Sequence, residues 1–401
     1  MKTAVFSFAI CIAVSCGFAE DKAGSILPRG DWEKHGFAVT ARDELRTLLR
    51  EQVEQKRVPG GALIMVHQGE VVFAEGFGWA NLEAKRPFRI TDPVRIASIT
   101  KPIVATAIVA LAAEGRFSLD EPVSTWLAEF RGVKLLSGAP ASRAPTIREL
   151  LSHTGGAPVD ESTQGRPWLR EWTKDPKITL DDVVKRLSQT GLAWEPRARF
   201  GYSGSGFDIA VRAVEAATGQ PFEQQVARCV LVPLDMTSTT FRPSAEVRAA
   251  MPAGYHLTAR GFVASSRVLR ERGATGYVTY GGSIVTTPED LAKFLLLHLR
   301  DGEWQGRQLV PVDAVRAMRR KPEWSKTGYG LGWSLGRVGK DGNRLTIGHT
   351  GSSGTACKVD FQHQTVWVLF TQMPVPKDAA LEPHFRNLVR DKLDEIVARL
   401  K

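Results

Sequence analysis

Hydrophobic and polar positions along this chain follow two periods, and the dominant one changes twice. From Thr40, apolar residues recur at helical spacing (Leu45, Leu48, Leu49, Val53) until Pro59-Gly60-Gly61 stops the run. Ala62 to His67 and Val71 to Gly78 then have strand length and strand composition, joined at Gln68-Gly69. Ile103 to Ala113 follows, rich in Ala, Ile and Val and free of Gly and Pro, which predicts a buried helix. Ser118 to about Thr258 reads as mostly helical. Thr146-Ile147-Arg148-Glu149 is a capping box ahead of Leu150-Leu151, and His153-Thr154-Gly155-Gly156 ends that short helix. Asp181-Asp182 opens another helix, and Phe207 to Thr218 a third, closed by Gly219. After Gly276 the strand period returns. Thr286 to Asp290 leads into an amphipathic helix, Leu291 to Leu299. Tyr329 to Leu335, Arg344 to Gly348, Ala356 to Gln362 and Thr365 to Gln372 then read as strands, and a helix from Pro383 to Leu400 closes the chain. Strands at both ends with helices between them predict one α/β lobe from residues 40–117 and 270–401, and an inserted, mostly helical lobe from 118–269.

Composition adds a location and removes some functions. The 401 residues are 43% hydrophobic and 24% charged, as in ordinary globular proteins. Residues 1–19 have the form of an export signal: Lys2 is the charge, Ala4 to Val14 the apolar core, and Gly17-Phe18-Ala19 the small residues before a cut at Glu20. The rival signal, lipoprotein processing at Cys16, is the weaker match because Ala13 stands where Leu is usual. Residues 20–39 mix Gly, Pro and charges and read as a tether before the folded part begins at 40. The apolar segment is too short for a membrane span, and no later run reaches that length. The formal charge of +10 is scattered, with no aromatic-interleaved basic run, so nucleic acid is not an expected partner. No oligomeric state is read from the sequence. Cys229 and Cys357 are the only cysteines beyond the signal; buried thiols are favoured over a disulfide. Neither has ligand neighbours at metal spacing, so no metal and no cofactor is expected.

The candidate chemistry lies at the start of the buried helix. In Arg95-Ile96-Ala97-Ser98-Ile99-Thr100-Lys101-Pro102, Ser98 and Lys101 are three apart and share a helix face. A serine there also sits among unpaired N–H groups at the positive end of the helix dipole, which favours an oxyanion on whatever it attacks. Ser98 and Lys101 thus form a candidate nucleophile–base pair. A capping serine beside a solvated lysine is the plainer alternative. Tyr202, in the turn Phe200-Gly201-Tyr202-Ser203-Gly204-Ser205-Gly206, is the candidate second proton carrier. A neighbouring ammonium is expected to lower its pKa from the usual value near 10.

Six ordered segments carry a resemblance. Ser98-Ile99-Thr100-Lys101, Thr146 to Gly156, Tyr202-Ser203, Gly281-Gly282, Tyr329-Gly330-Leu331-Gly332-Trp333 and Gly348-His349-Thr350-Gly351 stand in the order of the serine β-lactamase-related family. That family includes class C β-lactamases, D-stereospecific peptidases and β-lactamase-like esterases, and the resemblance covers nearly everything from Thr40 onward. It implies a β-lactamase/transpeptidase-like fold, an antiparallel sheet flanked by helices with an inserted helical lobe. It also implies that Ser98 is acylated, that Lys101 helps deprotonate it and that Tyr202 is the partner acid/base. Of three candidates for the family's Lys/His-Thr-Gly strand, His349-Thr350-Gly351 has the right surroundings. Lys326-Thr327-Gly328 directly precedes the Tyr329 motif, and His153-Thr154-Gly155 lies at a helix end. The implied oxyanion donors are the backbone N–H groups of Ser98 and Ser352. Two departures stand out. The family's Tyr-x-Asn reads Tyr202-Ser203-Gly204, leaving Ser203 or Ser205 as substitute hydroxyls, and His349 stands where a permanent lysine cation is common. Both lean towards small-molecule esters or amides without a fixed carboxylate, then D-peptides, then β-lactams. The alternative is a non-catalytic binding protein of the same fold.

Overall fold

The computed structural model describes residues 27–158, 175–265, 277–340, 342–374 and 384–400. Its centre is a seven-stranded antiparallel sheet in the order Ser334–Leu335, Thr346–Thr350, Ala356–Asp360, Thr365–Phe370, Gly60–His67, Glu70–Asn81, Arg86–Pro87. The first long strand therefore pairs with the last, Ala62 opposite Phe370 and His67 opposite Thr365. Strand pleating gives each face its own rows of residues. One row runs His349, Cys357, Val368, Ile64, Ala74 and meets the buried helix layer of Thr100–Ala113 and Pro288–Leu299. The opposite row runs Gly348, Lys358, Trp367, Met65, Phe73 and faces the helices Val39–Glu54 and Phe385–Ala398.

Helix Val39–Glu54 seats Leu45 and Leu49 in that second layer with no exposure. Full burial of each leucine contributes about 1.5–3 kcal/mol. Helix Thr100–Ala113 is buried on all sides from Thr100 to Leu111, as an apolar run without a polar stripe requires. The Thr146 capping box forms, its hydroxyl accepting from the Glu149 N–H while the Glu149 carboxylate accepts from the Thr146 N–H. Gly219 caps Gly204–Thr218 in the left-handed conformation.

Several expectations need correction. Residues 27–38 are not a free tether. Gly30 N–H donates to the Val71 carbonyl and Val71 N–H to that of Pro28, and Trp32 and Phe37 are each 4% exposed, with the Trp32 ring edge-on to Phe73. The segment Tyr255–Thr258 and Gly261–Ala264 is a hairpin, not helix. It is tied to the sheet lobe, because Tyr255 N–H donates to the Gln372 carbonyl and Ala253 N–H to that of Ala80. Tyr329 to Leu335 is a strand only at Ser334–Leu335, since Gly332 turns the chain at φ +78°. Cys229 and Cys357 are free and buried. Residues 1–19, the proposed cleavage at Glu20, Cys16 and the lobe boundary at 269/270 lie outside the described residues. Among the described residues no helix is long and apolar enough to cross a membrane, and no cluster of ligating side chains could hold a metal.

Candidate active site

Ser98 sits in a single 3₁₀ turn, Ala97–Ile99, that feeds directly into helix Thr100–Ala113. The turn is strained: Ala97 has φ +47°, a left-handed conformation that costs a non-glycine residue on the order of 1 kcal/mol or more. Its neighbours are fixed from two sides. Ile96 N–H donates to the Ile284 carbonyl (3.0 Å), and Arg95 Nε to that of Gly282 (3.1 Å). From the other side, Ser353 Oγ donates to the Arg95 carbonyl (2.7 Å) and Thr355 Oγ1 to that of Ile96 (3.0 Å). Gly351 lets the second loop approach this closely, since a Cβ there would lie 2.4 Å from the Ile96 carbonyl oxygen.

Lys101, the second residue of that helix and one turn after Ser98, is 2% exposed, with Nζ 3.2 Å from Ser98 Oγ and 2.7 Å from the Gly281 carbonyl. That carbonyl is held by a buried carboxylate. Asp208, 1% exposed, accepts from Tyr280 N–H (2.8 Å), from Thr279 Oγ1 (3.3 Å) and from the Tyr277 hydroxyl, so one side chain pins the loop that reaches Lys101. Tyr202 also joins the pair, its hydroxyl hydrogen-bonded to Ser98. The expected lowering of its pKa is overturned. Lys101 Nζ lies 4.6 Å from the ring centroid, over the aromatic face instead of beside the oxygen. Desolvation of the hydroxyl pushes the phenol up to about 12, although the residue as a whole is 39% exposed. Tyr202 is therefore a neutral O–H at rest.

His349 is 5% exposed on strand Thr346–Thr350. The Thr350 carbonyl, which can only accept, lies 2.9 Å from Nδ1, so that nitrogen carries the proton. Nε2 then accepts from the Tyr329 hydroxyl at 2.9 Å. Burial, with the nearby Lys101 charge second, pushes the imidazole down to about 3. His349 therefore supplies no cation where a lysine would: it is neutral and both nitrogens are engaged. Thr350 is exposed and pairs with Ala356 of the opposite row, so the pleat sets it away from His349. His153 completes an aromatic nest, its ring centroid 4.3 Å from Tyr202 and 4.7 Å from Tyr329. It takes a left-handed φ of +59°, and Nδ1 accepts the Ser203 N–H at 3.1 Å. Tyr329 and His153 therefore support the site, and sequence reasoning gave neither such a role. The available signal was a lone polar ring inside otherwise Gly-rich or apolar motifs.

Ser352 lies in the loop after His349, exposed, and its N–H makes no hydrogen bond within the described residues. It and the Ser98 N–H, at the open end of the helix, are free to donate to an oxyanion. Ser203 cannot replace the missing Asn: its hydroxyl caps Gly204–Thr218 by accepting from Gly206 N–H and donates to the Pro158 carbonyl. Ser205 is fully buried. At Gly204 a Cβ would meet nothing within 4 Å, so the space an Asn would fill is open. Lys326 is exposed outside any strand, as its position before the Tyr329 motif implied. The two cavities of note, of about 1000 and 410 Å³, are lined by none of Ser98, Lys101 and Tyr202.

A family model described as beta-lactamase matches residues 45–391. Esterase EstB of Burkholderia gladioli is 33% identical over 224 residues, 55% of this chain and 56% of that protein, so the match spans little more than half of EstB. Protein Rv1367c of Mycobacterium tuberculosis is 29% identical over 305 residues, 69% of this chain and 74% of that one. Among solved structures, EstCE1, a hydrolase with promiscuous acyltransferase activity, superposes with a TM-score of 0.74 at 22% identity, covering 88% of this chain and 98% of that one. The D-amino acid amidase of Ochrobactrum anthropi SV3 gives 0.67 at 22% identity, covering 90% and 98%. At such identities these two structures establish the fold.

Proposed function

This chain belongs to the beta-lactamase family, and from that premise we propose that it is a serine hydrolase working through an acyl-enzyme on Ser98. The observation that carries the proposal is the convergence of Lys101 Nζ and the Tyr202 hydroxyl on Ser98 Oγ, beside the unengaged N–H of Ser352. Ser98 Oγ attacks the substrate carbonyl carbon as its proton passes into the Lys101–Tyr202 pair. The oxyanion is held by the N–H groups of Ser98 and Ser352. Collapse expels the alcohol or amine, which takes its proton through the Tyr202 hydroxyl. Water then adds to the acyl carbon and gives a proton to the same pair, which returns it to Ser98 Oγ as the acyl–oxygen bond breaks and the acid leaves. Tyr202 serves as a relay and acid, in keeping with a phenol that stays protonated at neutral pH.

The preferred substrates are small esters without a fixed carboxylate, followed by amides and D-peptides, with β-lactams last. His349 offers no cation, and Gly204 offers no amide to a substrate's acylamino carbonyl. Export through residues 1–19 is part of the same proposal and rests on the sequence.

Treatment with a fluorophosphonate should add one probe mass, mapped to Ser98, and Ser98→Ala should lose on the order of a thousandfold or more in kcat/KM on p-nitrophenyl esters. An unlabelled protein whose Ser98→Ala variant matches wild type would instead establish the binding-protein alternative.

A further inference from the structure

Behind the strand that carries His349 lies a cavity of about 410 Å³, roofed by the first turns of helix Phe385–Ala398. Its floor is one row of the sheet: Ser334 opposite Gly348, Gly348 opposite Lys358, Lys358 opposite Trp367. Gly348 leaves the hollow, because the position that a side chain would fill is bare, and a Cβ would strike the Cys357 carbonyl at 2.6 Å. The floor thus combines the Trp367 ring with bare backbone.

The roof is basic. Arg386 and Arg390 are four apart on one helix face, where like charges repel. Lys358 is committed to Asp394 at 2.5 Å, and Arg390 to Asp391 at 2.9 Å. Arg386 is half-buried, and no carboxylate among the described residues pairs with it. Burial, and after it the Arg390 charge, pull its pKa down, the direction expected for an under-compensated guanidinium. A half-buried charge without a partner is costly, and a planar guanidinium beside an apolar wall suits a planar anion with an apolar body. The volume lies within the range of small-molecule sites.

We propose that this cavity is a second binding site, separate from Ser98, for a small organic carboxylate whose charge pairs with Arg386 and whose apolar body lies on Trp367. It backs directly onto the active-site edge, since His349 follows Gly348 and points to the other face. The proposal does not depend on the chemistry at Ser98.

The probe is 2-naphthoate, titrated into the full chain by calorimetry, with 2-naphthamide as the uncharged match. Saturable binding is expected, with naphthamide at least about tenfold weaker, as loss of a charge-assisted bond requires. Arg386→Met should weaken naphthoate at least about tenfold. Asn387→Trp, which fills the cavity from its roof and leaves Arg386 in place, should abolish it. Both variants should retain the wild-type melting temperature within a few degrees, and prior occupation of the catalytic serine by a fluorophosphonate should leave the affinity unchanged. No saturable binding to wild type, equal binding in both variants, or equal affinity for the amide would overturn the site. Loss of binding on blocking the serine alone would move the ligand to the active site and also overturn it.

Discussion

At the scale of single residues, the site works through neutral groups held neutral by burial. His349 is held near 3, against 6.5 for a free imidazole, so between those values the folded chain binds fewer protons than the unfolded one. The stability this contributes is complete above about pH 6.5 and declines as pH falls towards 3, by at most about 1.4 kcal/mol per pH unit. His153 and His298, fully buried and also shifted down by desolvation, act in the same direction. The melting temperature should therefore fall between pH 6.5 and 4.5, and His349→Asn should flatten that fall. KM for a neutral ester should stay level from pH 5 to 8; a KM that climbs through neutrality would reveal a charged imidazole in binding. Ser98 and Lys101 were legible because their pairing is set by three residues of helix geometry. The charge state of His349 was not, because it depends on Tyr329 and on burial, which only the folded chain supplies.

At the scale of elements, helices were more legible in the sequence than strands. The Thr146 box and Gly219 mark their helix ends by local chemistry, so they stood where expected. The helix after Tyr202 begins at Gly204, earlier than the Phe207 that periodicity suggested, because Ser203 caps it and Gly-Ser-Gly carries no apolar signal. Short strands were the weakest point: the hairpin at Tyr255 has only four residues a side, and Gly332 breaks a run that looked continuous. The loop at Gly281 shows what local pattern cannot carry, since its position is set by Asp208 on a helix far back in the chain. Asp208→Asn should leave KM within about threefold and lower kcat on the order of tenfold, because a displaced Gly281 carbonyl misplaces Lys101. Equal loss in both parameters, or none, would show that the carboxylate only supports packing.

At the scale of the whole molecule, the folded unit extends further towards the N-terminus than a polar-looking segment suggested. Trp32 and Phe37 are separated by charges and glycine, so no period reveals them, yet they cap the layer formed by Phe73 and the two outer helices. Trp32→Ala should cost about 3–5 kcal/mol in urea unfolding; a change below about 1 kcal/mol would return residues 27–38 to the status of a tether. The pairing of Gly60–His67 with Thr365–Phe370 has a further consequence in time. A chain emerging from the ribosome presents the first hairpin long before its partner strand exists, so one edge of that hairpin stays unpaired through nearly the whole of synthesis. Contacts so distant in sequence make for slow closure, and an open, apolar strand edge is an invitation to other chains. The nascent protein thus depends on whatever shields that edge until the last strand arrives. Any chain cut short before Thr365 carries Ser98 but has no finished sheet on which to mount it.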